Sequence, residues 1–244
     1  MRVLRTILAF LFCVYLLPGL AAAGLWATRE RPANWREAKW VSSGILPDPA
    51  ADRAARVTIF AAHTGGMKGA FAVHSWIVLK ARGAPHYDRY DVVGWGEPVR
   101  RNAYEPDGYW YSNPPQRVWE VTGAEAESLI PKIEAAIAAY PHNRRGNYRL
   151  WPGPNSNSFV AHILRTVPDI DAVLPPNAVG RDYIAGGAFY HFDPHGDMNL
   201  TLYGLFGVSA GLKSGFEMHL FGLVAGVDFR RPAVKIPAFG RFGS

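Results

Sequence analysis

The sequence predicts an α+β protein, with an antiparallel sheet, packed helices and one apolar helix in front of them. Three observations lead to this prediction. Short apolar runs rich in β-branched and aromatic residues recur between turns, for which 25 Gly and 19 Pro among 244 residues are well suited. Two stretches in the middle of the chain carry helix-start signals. A composition that is 49% hydrophobic and 19% charged excludes a disordered tail, a collagen-like chain and a coiled coil.

Residues 1–27 predict a segment that enters a membrane. Two arginines precede an apolar run over about residues 7–23, which nearly reaches the ~20 residues needed to cross a bilayer. Pro18 and the small residues 21–23 are typical of a cleaved signal peptide, whereas Trp26 and the arginines after it are typical of a retained anchor. Both interpretations put the rest of the chain outside the cytoplasm. The protein is then a single-pass protein of the inner membrane or a free periplasmic protein.

Charge and cysteine content narrow the chemistry. Cys13 is the only cysteine and lies in the apolar run, so the exported part has no disulfide, no thiolate zinc site and no thiol nucleophile. The net charge of +6 mildly favours an anionic surface such as lipid headgroups. The basic residues are scattered and surround no nucleic-acid module, so nucleic acid is not an expected partner. We expect no cofactor.

After the apolar segment, residues 28–55 predict an irregular lead-in and residues 56–244 a single α+β domain. The run at 71–80 is apolar on both faces, which is typical of a central strand. A long polar loop is expected between the third and fourth strands, with a short strand near Tyr104. The predicted strands before the helix at 155 cover residues 56–62, 71–80, 88–96, 118–121 and 147–151.

Two helices are predicted between the strands. Thr122 with Glu125 fits a capping box for a helix that ends at Tyr140, and Pro131 should split it, kink it or begin a second helix. Asn155 should cap a second helix that ends near residue 166. In that helix Phe159, Ile163 and Val167 recur every four residues, so they should face the core.

The last third of the chain, from about residue 183, predicts glycine-punctuated β-structure. It is rich in large apolar residues, and we interpret these as buried hairpin strands. The other interpretation is an exposed surface that contacts an apolar substrate or a membrane. The residues concerned are Leu202, Leu205, Phe206, Phe216, Met218, Leu220, Phe221 and Leu223.

Ser156 is the candidate nucleophile. It would occupy the first helical position after Asn155, where the helix dipole and free backbone N–H groups favour negative charge on a nucleophile or an oxyanion. A serine hydroxyl still needs a base. In the plainer interpretation Asn and Ser merely cap the helix. Asn155, Asn157 and Trp76 are the predicted binding residues around it.

His74 is the candidate base, because an imidazole in the middle of an apolar strand needs partners for its ring nitrogens. It shares a strand face with Trp76. It is either a core histidine bonded to a carbonyl or a base aimed at a nearby helix end. On the next strand His86, Tyr90 and Asp91 could hold its ring, and Asp91 is the best partner for an imidazolium. Adjacent residues point to opposite faces, so only one of Tyr90 and Asp91 can face His74.

The order of these motifs resembles that of circularly permuted papain-like proteins of the NlpC type, which include relatives of lecithin retinol acyltransferase. There a strand histidine precedes an Asn-Cys-x-x-Phe motif at a helix start. His74 matches that histidine, Asn155 and Phe159 match the flanking positions, and Ser156 stands in the place of Cys. The resemblance implies a permuted papain-like fold and acyl transfer or hydrolysis at an amide or ester, with an envelope peptide or lipid as substrate.

The exchange of Cys for Ser removes thiolate chemistry. One remaining possibility is serine-dependent acyl transfer, in which the base must remove a proton from a hydroxyl that is much less acidic than a thiol. The other is a non-catalytic scaffold that only binds a ligand. Residues 151–159 and the Gly-rich C-terminal part also resemble an uncharacterised bacterial family of membrane-anchored proteins with a domain of unknown function. That second resemblance implies no activity.

A metal site is the rival chemistry. His191, Asp193, His195 and Asp197 stand at alternate positions, and alternate side chains of an extended strand share a face. Imidazole and carboxylate groups in that arrangement could hold Zn²⁺ or a similar ion. The proline and glycine between them instead favour a turn, in which polar residues need no ligand.

Overall fold

The computed structural model describes residues 1–243, so Ser244, the predicted end of the domain, lies outside the described residues. The chain begins with a continuous helix of 26 residues, Arg2–Ala27. It consists of α1 (Arg2–Leu11), a π-helical turn (Phe12–Leu16) and α2 (Leu17–Ala27). Its mean hydropathy of 2.2 makes it long and apolar enough to be a signal sequence or a membrane span.

The first half of the remaining chain forms a five-stranded antiparallel sheet in the order β4-β3-β2-β1-β5. The second strand is central and buried along its whole length, as its two apolar faces predict. The strands are β1 (Arg56–His63), β2 (Val73–Lys80), β3 (Asp88–Val92), β4 (Val99–Arg101) and β5 (Gln116–Thr122).

Three strand predictions need correction. The third strand ends at Val92, and a short strand at Val99–Arg101 pairs with it instead of one near Tyr104. Residues 147–151 form no strand, because the Arg149 N–H donates to the Pro154 carbonyl at 2.8 Å and closes the backbone on itself.

Two helices, α3 (Ala124–Ala138) and α4 (Ser156–Thr166), pack on one face of this sheet. The predicted capping box of α3 is wrong, because Thr122 belongs to β5 and the cap is Gly123, with φ +73°. Pro131 lies inside one continuous helix. It is exposed, so water can replace the N–H that its ring removes from the backbone.

The start of α4 is as predicted. Asn155 caps the helix and forms a reciprocal capping box with Ser158. The predicted core positions Phe159, Ile163 and Val167 are buried in the cluster formed by α3, α4 and the inner face of the sheet.

The last third of the chain forms a second antiparallel sheet of seven strands that neighbour each other in chain order. Its β-rich character is therefore confirmed. The strands are β6 (Tyr190–Phe192), β7 (Met198–Leu202), β8 (Phe206–Gly211), β9 (Gly215–Leu220), β10 (Leu223–Asp228), β11 (Ala233–Ile236) and β12 (Gly240–Gly243).

This second sheet is polar on its inner face and apolar on its outer face. Along β9, Glu217 and His219 are buried, whereas Phe216 and Met218 are exposed. The prediction that the large apolar side chains of this region are buried is wrong for most of them. The register explains the inversion, since one cross-strand row on the inner face contains Asn199, Ser209, Glu217 and Lys235. In this row Asn199 donates to the Ser209 hydroxyl and Lys235 pairs with Glu217.

The inner face holds a buried network of opposite charges. Arg181 donates to Glu217 at 2.5 Å, and Lys235 pairs with the other oxygen of the same carboxylate. His219 lies 2.7 Å from Asp182 and 3.3 Å from Glu217. Attraction to Arg181 and Lys235 outweighs burial and holds the pKa of Glu217 well below its ordinary value. The network therefore replaces an apolar core on this side of the sheet.

Replacing Glu217 by Gln should destabilise the folded chain by about 3–5 kcal/mol, because it leaves Arg181 and Lys235 buried without their anion. The free energy of unfolding in urea measures this. Glu127→Gln is the matched control, since it removes a carboxylate that pairs with Arg82 in an exposed salt bridge, and its effect should be small. Equal effects of the two variants would contradict this account of the network.

The charge of His219 should make stability depend on pH. Burial lowers its pKa, but the attraction of Asp182 and Glu217 outweighs burial and raises the pKa to about 9. Protonated His219 thus stabilises the fold fully below about pH 6.5, and this contribution is lost as the pH rises through 9. The melting temperature should fall over that interval, and the fall should be smaller in His219→Gln. A wild-type curve parallel to that of the variant would contradict the assignment.

Candidate active site

The central strand and its neighbour bring His74 and Asp91 together. His74 Nε2 lies 3.3 Å from Asp91 Oδ2, and both residues are buried. The same carboxylate oxygen accepts a hydrogen bond of 2.8 Å from Arg89 Nη2. Of the three residues that could have faced His74, Asp91 is the one in contact with it.

These contacts set the protonation of the pair. Burial would raise the pKa of Asp91, but Arg89 and the hydrogen bond from His74 outweigh burial and lower it. Burial lowers the pKa of His74 against the opposing attraction of Asp91. An ionised carboxylate only accepts hydrogen bonds, so the neutral ring carries its proton on Nε2 and leaves Nδ1 unprotonated. Neutral His74 can therefore act as a base near pH 7.

Two residues that the sequence analysis missed hold this pair in place. The indole of Trp110 stacks on the His74 ring with 3.8 Å between centroids and 5° between planes. Buried Arg89 also donates to the Glu105 carbonyl at 2.8 Å, and its Cζ lies 4.1 Å from the centroid of the Trp76 ring. Trp110 comes from a loop, and no periodic pattern marks it. Arg89 could have been noticed as a charged residue in a predicted strand, two positions from Asp91.

The first turn of α4 docks directly on the central strand. Asn157 accepts a hydrogen bond of 2.8 Å from the Ser75 hydroxyl. Its amide donates to the carbonyls of Val73 at 2.9 Å and Val179 at 2.8 Å. Val73 and Ser75 flank His74 on the strand, and Asn157 follows Ser156 on the helix, so these contacts fix the two candidate residues relative to each other.

Ser156 and His74 line the same cavity, whose volume is about 560 Å³. Within residues 1–243 the Ser156 hydroxyl makes no hydrogen bond to His74. The Asn155 side chain accepts the N–H groups of Asn157 and Ser158. This leaves the Ser156 N–H as the donor of the first turn without an acceptor in the described part of the chain. One backbone N–H, rather than several, is thus available to an oxyanion.

The side chains of the predicted binding residues already donate hydrogen bonds to backbone carbonyls of the protein. Trp76 is wholly buried, donates to the Pro106 carbonyl at 2.8 Å and does not line the cavity, so the structure does not bring it together with the other predicted binding residues. Asn155 and Asn157 border the cavity, but their amide groups already bond the protein. The walls of the cavity are largely aromatic and aliphatic and include Phe71, Tyr111, Tyr148, Leu150, Trp151 and Phe221.

The four candidate metal ligands do not converge. They lie in and beside the turn between β6 and β7, where Asp193 accepts the N–H of His195 at 2.7 Å. Asp197 accepts the N–H groups of Lys213 and Ser214 at 3.0 and 2.7 Å. His191, the fourth candidate, is part of β6. Among residues 1–243 no group of three or more His, Cys, Asp or Glu could hold a metal ion.

The fold and this site define an α+β protein with an N-terminal apolar helix and a buried His–Asp pair beside a helix-start serine. The family model described as Protein of unknown function (DUF3750) matches residues 54–183, more than half of the chain. The chain belongs to this family. A search of curated proteins and a search of solved structures gave no match to it.

The tautomer of His74 can be observed directly. Ring ¹⁵N shifts of the full chain in detergent should show Nε2 protonated and Nδ1 unprotonated at pH 7, and titration below pH 6.5, because burial lowers the pKa of His74. His74→Gln identifies the signal. Protonation of both nitrogens at pH 7 would contradict the role of burial at this site.

Proposed function

We propose that this protein is a serine-dependent hydrolase or acyltransferase of the cell envelope. The observation that carries the proposal is the buried His74–Asp91 pair, which Arg89 and Trp110 hold in place, and whose His74 lines the same cavity as Ser156. A triad needs a nucleophile, a base and a group that orients the base. Ser156, His74 and Asp91 supply these in turn.

In the proposed reaction Ser156 Oγ attacks the carbonyl carbon of an amide or ester while His74 Nδ1 takes the hydroxyl proton. The Ser156 N–H and the positive end of the α4 dipole stabilise the oxyanion. The bond from carbon to the leaving amine or alcohol then breaks, and the leaving group receives the proton from His74. Water or an acceptor alcohol next gives a proton to His74 and attacks the acyl group, which restores Ser156.

The substrate proposed is a peptide or lipid of the envelope. Residues 1–27 would hold the domain at the outer side of the inner membrane, or direct it to the periplasm after cleavage. The papain-like resemblance belongs to this proposal as well, with Ser156 in the place of Cys. No nucleic-acid partner is proposed.

Labelling with a fluorophosphonate tests the nucleophile. The full chain should take up one label, seen by intact mass and by fluorescence in a gel, and Ser156→Ala should take up none. His74→Gln should slow labelling by about 10²–10⁴-fold, because the hydroxyl then lacks its base. Ser128→Ala is the matched control, since the hydroxyl of Ser128 lies on the exposed side of α3 and bonds only a carbonyl of its own helix.

Equal labelling of wild type and Ser156→Ala, with circular dichroism showing that both are folded, would contradict the catalytic proposal and favour a second function. That function is a non-catalytic binding module in which Ser156 only begins the helix. The absence of a Ser156–His74 hydrogen bond within residues 1–243 favours this second candidate. Its cavity would still bind an apolar ligand through its aromatic walls.

A further inference from the structure

The seven-stranded sheet has one uncharged end. Every second turn between its strands lies at that end, and these turns contain only apolar residues, glycine and one tyrosine. Phe221 and Phe239 are exposed there, as is Tyr203. The uncharged turns are residues 203–205, 221–222 and 237–239.

The opposite end of the same sheet carries the charges. Its turns, residues 193–197, 212–214 and 229–232, contain two aspartates, one lysine, two arginines and a histidine. Because the strands are antiparallel and neighbour each other in chain order, the two sets of turns lie at opposite ends of the strands. The sheet is therefore polarised along its strands as well as between its faces.

The apolar surface extends from the uncharged turns along the outer face of the sheet. Cross-strand neighbours on this face are apolar throughout, in the rows Leu202–Phe206–Leu220–Leu223 and Phe216–Val227–Val234–Phe242. Most of these side chains are exposed. Burying apolar surface would stabilise the protein by about 25 cal/mol for each Å² removed from water. A contiguous exposed patch of this kind marks a contact surface.

The N-terminal helix indicates what covers this surface. Its Tyr15 hydroxyl donates to the Met218 carbonyl of β9 at 2.9 Å. An apolar groove separates the helix from the uncharged end of the sheet, with Leu16 and Leu20 on one side and Phe221 and Leu223 on the other. A segment apolar enough for a bilayer thus lies beside the uncharged turns, so lipid around the helix would reach them.

We propose that the uncharged turns and the outer face next to them insert into the bilayer leaflet in which the N-terminal helix lies. The lipid acyl chains fill the groove beside the helix, and the charged turns at the other end stay in water. The contact does not depend on the proposed catalytic function, and it persists in a chain whose Ser156 is inert.

Site-directed labels test the insertion. In full-length protein with Cys13→Ala, a single cysteine is introduced as Phe221→Cys or Phe239→Cys and coupled to an environment-sensitive fluorophore. His195→Cys and Arg231→Cys are the matched controls, since they place the same label on exposed turns at the charged end. Each protein is reconstituted in vesicles of phosphatidylcholine with a minority of phosphatidylglycerol.

Labels at 221 and 239 should be quenched at least about twofold by lipids with a nitroxide on the acyl chain, and hardly by iodide. Labels at 195 and 231 should show the reverse. Iodide quenching at all four positions would overturn the proposal. Protection of 221 and 239 from both quenchers, together with crosslinks between copies, would also overturn it, because a second copy would then cover the face. Near-UV circular dichroism checks the fold of each labelled variant.

Discussion

The candidate site depends on the docking of the first turn of α4 against β2. The Asn157 amide makes this contact by accepting from the Ser75 hydroxyl and donating to the Val73 carbonyl of β2, and it also donates to the Val179 carbonyl. A buried amide without these partners would cost about 1–3 kcal/mol, so the helix start has one favourable position on the strand. This single contact is what makes a residue of the strand and a residue of the helix neighbours, although they are far apart in the chain.

A second constraint acts on the base itself. Asp91 is buried beside His74, and a buried carboxylate without a cation would take up a proton. Arg89 prevents this, and it is in turn held by a carbonyl and an indole ring. The charge of a loop-supported arginine therefore determines which nitrogen of His74 carries the proton. A neutral core histidine bonded to a carbonyl would need none of these groups.

Much of this arrangement could be predicted from sequence because it depends on local signals. The capping Asn155 and the buried central strand follow from turn chemistry and periodicity. Alternation showed only that one of Tyr90 and Asp91 faces His74, and the structure places Asp91 there. The stacking of Trp110 could not be predicted, since the loop that carries it follows no period. The capping box at Thr122 failed because strand pairing took that residue into β5.

The inversion of the second sheet was missed for a different reason. Alternation of apolar and polar residues specifies two faces, but it does not say which face meets the rest of the protein. The choice is made by Arg181 and Asp182, which precede the sheet in the chain and bind Glu217 and His219 on its polar side. Once those charges are buried, the apolar residues must face outward.

The uncharged end of the second sheet contacts the half of the molecule that carries the candidate site. Trp151 donates to the Phe221 carbonyl at 2.9 Å, and both side chains border the cavity of Ser156 and His74. Phe71 and Leu223 border that cavity and also the apolar groove beside the N-terminal helix. The surface proposed to enter lipid and the mouth of the candidate site thus share walls. A bilayer at the uncharged turns would exclude water from that mouth and strengthen the electrostatic contacts inside it.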